Sequence, residues 1–278
     1  MKKLTKALAV LSMFGGAMFG TQALAEPFKI GICYDLSKAY TFATPQVSQA
    51  AMDLAKLINM KGGIGGEPVE VIVRDHGNEP QRGIECYSKL SREGVFVFDT
   101  LSTPVSLAIL PRAMEDGRIL MQSLVGRGDA VDGTVFEWVY PIGPTYWGQA
   151  ANDVAYIKQL NDGDLSDVKV GFVYFDYPFG QEPIEILETL SEKEGFELEL
   201  YPVPLPGSDQ AGVWSKVRRD KPDHVILWML GGAHVVNGVV VVEDPDEGAD
   251  RRRGVVVLGL AQKQRRAALD IAQVHVIA

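Results

Sequence analysis

Short runs rich in valine, isoleucine and phenylalanine alternate along the chain with longer segments of helical pattern. The runs at 28–34, 67–75, 94–100, 118–123, 168–176, 196–205 and 223–230 predict strands, and the segments 45–60, 80–93, 103–116, 145–160, 180–195 and 208–220 predict helices. Strands that alternate with helices form parallel sheets whose faces the helices cover. The sequence therefore predicts an α/β fold built from doubly wound parallel sheets.

The strand–helix pattern starts again after "VFEWVYP" (135–141), which divides the chain into two units. The expected boundaries are 26–144 for a first lobe and 145–230 for a second lobe. Because no low-complexity linker separates them, we expect the two lobes to pack as neighbours. Several predicted helices begin with proline, and Thr44 and Thr103 precede two of those prolines as expected N-caps.

Four glycines occur within five positions in "KGGIGG" (61–66), and they raise the question of a phosphate-binding loop. A dinucleotide fingerprint needs its glycines after a strand and at the start of a helix. Here the helix comes first and the strand follows. The glycines are therefore expected to end the helix in the left-handed region and to turn the chain into the strand.

The first 25 residues have the features of a signal peptide. Lys2, Lys3 and Lys6 precede an apolar stretch, and Ala23-Leu24-Ala25 fits a small-x-small cleavage site, so cleavage is expected after Ala25. The apolar stretch is too short for a membrane anchor, which needs about 20 apolar residues. These features predict a periplasmic protein.

Charge and residue types exclude several classes of function. The formal net charge of −9 becomes −12 without the three N-terminal lysines, which argues against nucleic acid as a partner. The histidines show neither metal-ligand spacing nor pairing with a nucleophile. No metal, no cofactor and no enzymatic activity are therefore expected. Cys33 and Cys86 could form a disulfide or remain buried thiols.

Four stretches together resemble a known family. They are "FKIGICYDLSKAYT" near the start, "INMKGGIGGEPVEVIVRDHGNEP", "GVFVFDTLSTPVSLAILPRAMEDGRIL" and "VKVGFVYFDYPFGQEPIEILETLSEKEGFEL". In this order they resemble periplasmic solute-binding proteins of branched-chain amino acid ABC transporters, of the leucine/isoleucine/valine type. The resemblance covers roughly residues 26–230.

The resemblance implies a type I periplasmic-binding fold, with two lobes that close on a small solute by a hinge motion. It further implies a monomer that delivers its solute to membrane permease and ATPase subunits. An amino acid is the expected solute. A periplasmic sensor domain of the same fold is the first alternative, and an α/β enzyme is the second.

The resemblance assigns a carboxylate-binding role to the turn at Ser102 and Thr103. Both hydroxyls lie where a helix begins directly after a strand, and N–H groups and the helix dipole favour an anion there. The alternative for Thr103 is that it only caps the helix. We expect both residues to contact the solute.

A second loop, "SLVGRGDAVDG" (123–133), corresponds to the other carboxylate-contacting loop of the family. Gly126 and Arg127 stand where relatives often have small residues and a threonine. Arg127 is able to hold a carboxylate with two parallel hydrogen bonds, or to pair instead with Asp129 or Asp132. This difference leaves an organic acid or an amide open as the ligand.

Side chains that follow strands are the remaining candidates, because ligands of open α/β sheets bind at the carboxyl ends of the strands. Tyr34 and Tyr40 follow the first strand, while Asp176 and Tyr177 follow the first strand of the second lobe. Asp176 is a candidate partner for an ammonium group. Trp228 is a candidate for the far wall of the cleft, and the alternative for the aromatic residues is that they pack in the core.

The last fifty residues differ from the rest of the chain. All 24 aromatic residues lie at or before Trp228, and residues 249–278 contain six basic and two acidic side chains. One interpretation of residues 231–278 is an out-of-frame or truncated end, since two complete lobes need roughly 300 residues. The other is a basic terminal unit in which "GVVVLGL" forms a strand and "QKQRRAALDIAQ" a helix.

Overall fold

The computed structural model describes residues 26–123, 125–230 and the backbone of 254–258. The strands are Phe28–Tyr34 (β1), Val69–Asp75 (β2), Val97–Asp99 (β3), Ile119–Ser123 (β4), Val139–Ile142 (β5), Lys169–Phe175 (β6), Glu197–Val203 (β7), His224–Trp228 (β8) and Gly254–Leu258 (β9). The helices are Thr44–Met60 (α1), Pro80–Arg92 (α2), Thr103–Glu115 (α3), Tyr146–Leu160 (α4), Pro178–Gln181 (α5), Ile184–Glu194 (α6) and Ala211–Asp220 (α7). The signal peptide and most of the basic tail predicted above lie outside the described residues.

Two parallel sheets form the framework. The first has the order β2-β1-β3-β4-β5, and the second has the order β7-β6-β8-β9. Every strand pairing within them is parallel, for example Ile32 beside Val73 and Phe172 beside Ile226. The predicted α/β fold with doubly wound parallel sheets is confirmed. The predicted lobe boundary at 144 and 145 stays a prediction, although one sheet lies before it and the other after it.

Apolar side chains cover the sheets unequally. In the first sheet, α2 and α3 pack on one face through a cluster that includes Phe98, Ile109 and Leu120. The helix α1 covers the β1 and β2 half of the other face, while Tyr140 and Ile142 of β5 are about half exposed. In the second sheet, α4 and α6 cover one face and α7 covers the other.

A disulfide joins Cys33 of β1 to Cys86 of α2, so the alternative of two thiols is wrong. Both residues are buried within the core between β1, α2 and α3. The bond encloses a loop with a sequence separation of 53 residues. It therefore ties β1, which lies between β2 and β3, to the helix after β2.

The glycine-rich turn has the predicted structure. Gly62, Gly63, Gly65 and Gly66 all adopt positive φ, between 63° and 99°. The N–H groups of Gly62 and Gly63 donate to the last carbonyls of α1, at 3.0 Å each. These residues end α1 and lead into β2, so the structure gives no support to a phosphate-binding loop at this position.

Three local predictions are wrong. Thr44 and Thr103 are the first residues of α1 and α3 rather than caps, and Ala43 and Ser102 occupy the cap positions. Thr44 Oγ1 instead donates within the preceding loop, to the carbonyl oxygens of Asp35 and Tyr40. The predicted helix 180–195 is divided into α5 and α6 at Pro183, because proline lacks an N–H and cannot continue the helical hydrogen bonds.

In the tail, Gly254–Leu258 pairs with β8 as a parallel strand. This strand agrees with the second interpretation of the tail, in which "GVVVLGL" forms a strand. The first interpretation, an out-of-frame or truncated end, concerns residues that lie mostly outside the described ones. Among the described residues, no helix is long and apolar enough to cross a membrane.

Candidate ligand-binding cleft

The loops that follow β1, β2 and β3 meet the turn that follows β6 of the second lobe, and polar side chains gather at this junction. Asn78 follows β2, Ser102 follows β3 and Tyr177 follows β6. Asn78 Oδ1 accepts hydrogen bonds from the Ser102 hydroxyl at 2.7 Å and from the Tyr177 hydroxyl at 2.8 Å. One amide oxygen therefore joins two loops of the first lobe to the second lobe.

The start of α3 supplies a buried polar group at the same junction. Thr103 is 3% exposed, and its Oγ1 has no hydrogen-bond partner of normal geometry among the described residues. The Tyr146 hydroxyl lies close enough to form a weak hydrogen bond with it. The first N–H groups of a helix also lack intrahelical partners, and α3 is a helix of 13 residues. This turn is therefore suited to bind an anionic group.

Three tyrosines surround this turn. Burial is the largest effect on Tyr40, Tyr146 and Tyr177, and it raises the pKa of each hydroxyl above its ordinary value. The Tyr40 and Tyr177 hydroxyls also interact with each other. All three remain neutral near neutral pH, so they offer rings and uncharged hydroxyls.

Tyr34 and Trp228 have core positions. Tyr34 is 1% exposed and donates to Asp99 Oδ2 at 2.9 Å, in a cluster with Ile32 and Leu101. The Trp228 indole N–H donates to the carbonyl oxygen of Phe179 at 3.2 Å, and its ring meets that of Tyr146 edge-on at 5.4 Å. Both residues pack in the core, as the alternative interpretation of the aromatic residues predicted. Their ligand-binding role stays a prediction.

Arg127 is held by its own loop. Its Nε and Nη2 donate to the two carboxylate oxygens of Asp129, and its guanidinium carbon lies 5.1 Å from the Phe136 ring centroid. The hydrogen bond and charge of Asp129 raise the pKa of Arg127, which stays charged. The ion pair that the sequence left open is therefore formed.

The glycines beside Arg127 allow close contact with α4. A Cβ on Gly126 would lie 2.6 Å from the Tyr146 ring, and a Cβ on Gly128 would lie 2.2 Å from the Trp147 ring. Gly128 N–H donates to the Glu182 carboxylate at 3.2 Å, and burial raises the pKa of Glu182. This loop is thus a second contact between the two lobes.

The acidic candidates near the cleft already have partners. Asp176 is exposed and accepts from the Gln181 amide at 2.8 Å. Asp35 accepts the backbone N–H groups of Ser37, Lys38 and Tyr40. Among the described residues there is also no group of His, Cys, Asp and Glu side chains that could hold a metal ion.

Of the predicted site residues, the structure brings together Ser102, Thr103, Tyr40 and Tyr177. Tyr34 packs in one core cluster with Tyr40, Trp228 packs against Tyr146, and Asp176 is exposed and bonded to Gln181. Sequence reasoning missed Asn78, Tyr146 and Glu182. Asn78 follows a strand at the same sheet edge, so the rule that selected Tyr34 also applied to it. Glu182 and Tyr146 had no comparable signal, because their contacts depend on how the lobes pack.

Known proteins share this architecture. A family model described as a periplasmic binding protein matches residues 27–240. A Leu/Ile/Val-binding protein homolog of Brucella melitensis is 22% identical over 245 residues, which cover 87% of this chain and 62% of that relative. The chain thus spans about three fifths of the length of this curated relative.

Two solved structures have the same fold. A branched-chain amino acid ABC transporter protein from Thermus thermophilus with bound valine superposes with a TM-score of 0.70 at 16% identity, covering 84% of this chain and 59% of that one. A solute-binding protein of an ABC transporter from R. palustris in complex with benzoate gives a TM-score of 0.68 at 18% identity, covering 87% and 65%. The matched family model, the parallel sheets and these likenesses agree, and the chain belongs to the periplasmic binding protein family.

Proposed function

We propose that this chain binds a small carboxylate-bearing solute between its two lobes, as the periplasmic component of an ABC importer. The observation that carries the proposal is the buried Thr103 Oγ1 at the start of α3, next to the contact between Asn78 and Tyr177. A carboxylate at this turn would accept a hydrogen bond from the Thr103 hydroxyl, and the dipole of α3 would stabilise its negative charge. The family likeness supports the same role.

Two classes of solute fit this turn. The valine-bound likeness supports an amino acid. The cleft itself favours a carboxylate without an ammonium group, since Asp35 and Asp176 are already engaged and the nearby rings belong to Tyr40, Tyr146 and Tyr177. The benzoate-bound likeness supports this second class. Leucine, valine, benzoate and 4-hydroxybenzoate therefore form the first panel of solutes.

Solute binding can be tested by titration calorimetry and thermal melting with this panel. A bound solute raises the melting temperature and is recovered unchanged. Thr103→Val, which replaces the hydroxyl with a methyl group, is expected to weaken binding by about tenfold or more, because hydrogen bonds to charged groups contribute about 1.5–3 kcal/mol. Thr189→Val on the exposed face of α6 is the matched control and keeps the affinity.

The proposal fails if no carboxylate in the panel binds, or if a solute is chemically converted. Conversion would favour the enzyme alternative. The permease and ATPase partners are part of the proposal as well. A genomic neighbour that encodes a receptor or kinase in place of these subunits would favour the sensor alternative.

A further inference from the structure

His76 lies at the end of β2, and hydrogen bonds hold its ring on both sides. The side chain is fully buried. Its Nδ1 accepts the backbone N–H of Asn78 at 2.9 Å, and its Nε2 lies 3.1 Å from the carbonyl oxygen of Thr100. A carbonyl oxygen only accepts hydrogen bonds, so Nε2 carries the proton and Nδ1 has none. These contacts require the neutral form of His76.

The residue that His76 holds is the one that joins the lobes. Asn78 has a left-handed backbone with φ of 57°, and its side-chain oxygen accepts from both Ser102 and Tyr177. The left-handed region is unfavourable for most residues other than glycine, although asparagine tolerates it better than others. A hydrogen bond to the backbone of Asn78 therefore helps to fix where its amide lies.

We propose that His76 is a positioning residue for the cleft: only its neutral form accepts the Asn78 N–H, so its protonation releases Asn78 and weakens the contact between the lobes. This inference rests on the proposed function in taking lobe closure as the binding motion. It adds a residue and a pH dependence that the resemblance to solute-binding proteins does not supply.

The balance between burial and the charges around His76 favours a neutral ring at neutral pH. Burial, the largest effect, lowers its pKa below the ordinary value. The carboxylates of Asp35 and Asp75 act in the opposite direction, as do the nearby backbone carbonyls. Both charges are partly compensated, since Asp35 accepts backbone N–H groups and Asp75 pairs with Arg82 at 2.9 Å.

The direction of the pH effect follows from the hydrogen bond of 2.9 Å between the Asn78 N–H and Nδ1. A protonated Nδ1 cannot accept that N–H, and the lowered pKa places its protonation below the ordinary range of histidine. The contact is therefore complete above a pH of about 6.5, the ordinary pKa of histidine, and weakens as the pH falls below it. Glu182 also bridges the lobes and titrates, so Glu182→Gln provides a background without that second effect.

The test measures the distance between the lobes without any solute. Spin labels on Lys61→Cys and Glu188→Cys, which are exposed positions in the two lobes, report closure from pH 8 to pH 5. In the Glu182→Gln background, the labels are expected to move apart as the pH falls below about 6.5. His76→Gln is expected to remain closed throughout, because its amide oxygen accepts the Asn78 N–H and does not titrate.

Two further variants complete the design. His76→Phe cannot accept the hydrogen bond, so its open population is expected to rise about fivefold even at pH 8. This factor corresponds to the loss of one hydrogen bond of roughly 1 kcal/mol. His224→Gln, at the other buried histidine of the described residues, is expected to keep the pH response. Nitrogen NMR of His76 in the protein without spin labels provides a readout that needs no substitution. Protonation of Nδ1 is expected to accompany opening of the lobes.

Loss of the pH response in His76→Gln alone supports the inference. A lobe distance that does not depend on pH in the parent protein overturns it, as does a response that survives in His76→Gln. Failure of the proposed function is separate: if none of leucine, valine, benzoate and 4-hydroxybenzoate binds but His76 still controls the distance, the positioning role stands. If these solutes bind and the distance between the lobes does not depend on pH, only the positioning role of His76 fails.

Discussion

The Tyr177 hydroxyl donates a hydrogen bond of 2.8 Å to Asn78 Oδ1, across the junction of two lobes and 99 residues apart in the chain. The second inter-lobe contact, between Glu182 and Gly128 N–H, comes from the other end of the same short segment. Helix α5 lies between these two residues and packs against α3. The segment 177–182 therefore supplies two of the hydrogen bonds between the second lobe and the first.

Removing the Tyr177 hydroxyl should favour the open arrangement of the lobes. Tyr177→Phe keeps the ring, which packs against the second-lobe core, and deletes the donor to Asn78. The open population is expected to rise about fivefold, from the loss of roughly 1 kcal/mol. Distances between spin labels on the two lobes provide the measurement. Tyr140→Phe, at a half-exposed ring on β5, is the control and should leave the distances unchanged.

Asp153 should make the fold less stable as the pH rises. It is fully buried on α4, and neither carboxylate oxygen has a hydrogen-bond partner among the described residues. Burial raises its pKa to about 8, so the folded state retains a proton that the unfolded chain loses above its ordinary value of 3.8. The destabilisation is absent below pH 3.8, grows as the pH rises from there and is complete above about pH 8.

Asp153→Asn is therefore expected to raise the free energy of unfolding at pH 8 and to have little effect near pH 4. Chemical denaturation at several pH values measures the difference. Asp167→Asn, at an exposed position, serves as the control for removing a carboxylate outside the core. A gain from Asp153→Asn that does not depend on pH would contradict the prediction.

The disulfide between Cys33 and Cys86 should stabilise the first lobe. The two cysteines are separated by 53 residues in the sequence. In the chain-entropy description, a disulfide that closes a loop of this length stabilises the folded state by about 4 kcal/mol, because it restricts the unfolded chain. The double variant Cys33→Ala, Cys86→Ala is expected to unfold at a lower denaturant concentration. Dithiothreitol should lower the midpoint of the parent protein and leave that of the double variant unchanged. Equal sensitivity of both proteins would show that the bond is not the cause.

Gly128 should tolerate no side chain, while a nearby glycine should. A Cβ at Gly128 would lie 2.2 Å from the Trp147 ring, whereas nothing lies within 4 Å of a Cβ at Gly133. Gly128→Ala is expected to lower the free energy of unfolding by about 1–3 kcal/mol, as overpacked sites do. Gly133→Ala should stay within about 0.5 kcal/mol of the parent protein, the range of ordinary surface changes. Denaturant titration with tryptophan fluorescence distinguishes the two variants.

The regular elements were predictable because each has a local cause. Apolar runs such as 28–34 and 67–75 and the prolines at the starts of helices act over a few residues, and the structure has strands and helices at those places. The errors lie at boundaries. Thr44 was expected to cap α1, but the helix begins at Thr44 itself, and the Thr44 hydroxyl donates to carbonyl oxygens of the loop after β1.

The candidate cleft was only partly predictable. Ser102 and Thr103 follow from the rule that ligands meet the carboxyl ends of parallel strands. Arg127 had two possible partners in sequence, and the nearer one, Asp129, binds it in the structure. Tyr34 ends a strand like the other candidates, yet its side chain points to Asp99 within the core. Sequence position alone does not distinguish the two sides of a sheet edge.

The sequence by itself determined the α/β class, the glycine turn that ends α1 and the division into two repeating units, because periodicity and turn chemistry act between neighbouring residues. Only the tertiary structure decided which side chains meet: the Cys33–Cys86 bond, the Asn78–Tyr177 contact and the His76–Thr100 hydrogen bond that fixes the His76 tautomer each join residues distant in the chain. Their energies depend on distances that exist only after the sheets have formed and the lobes have packed. For that reason the site depends on packing, while the fold class follows from local pattern.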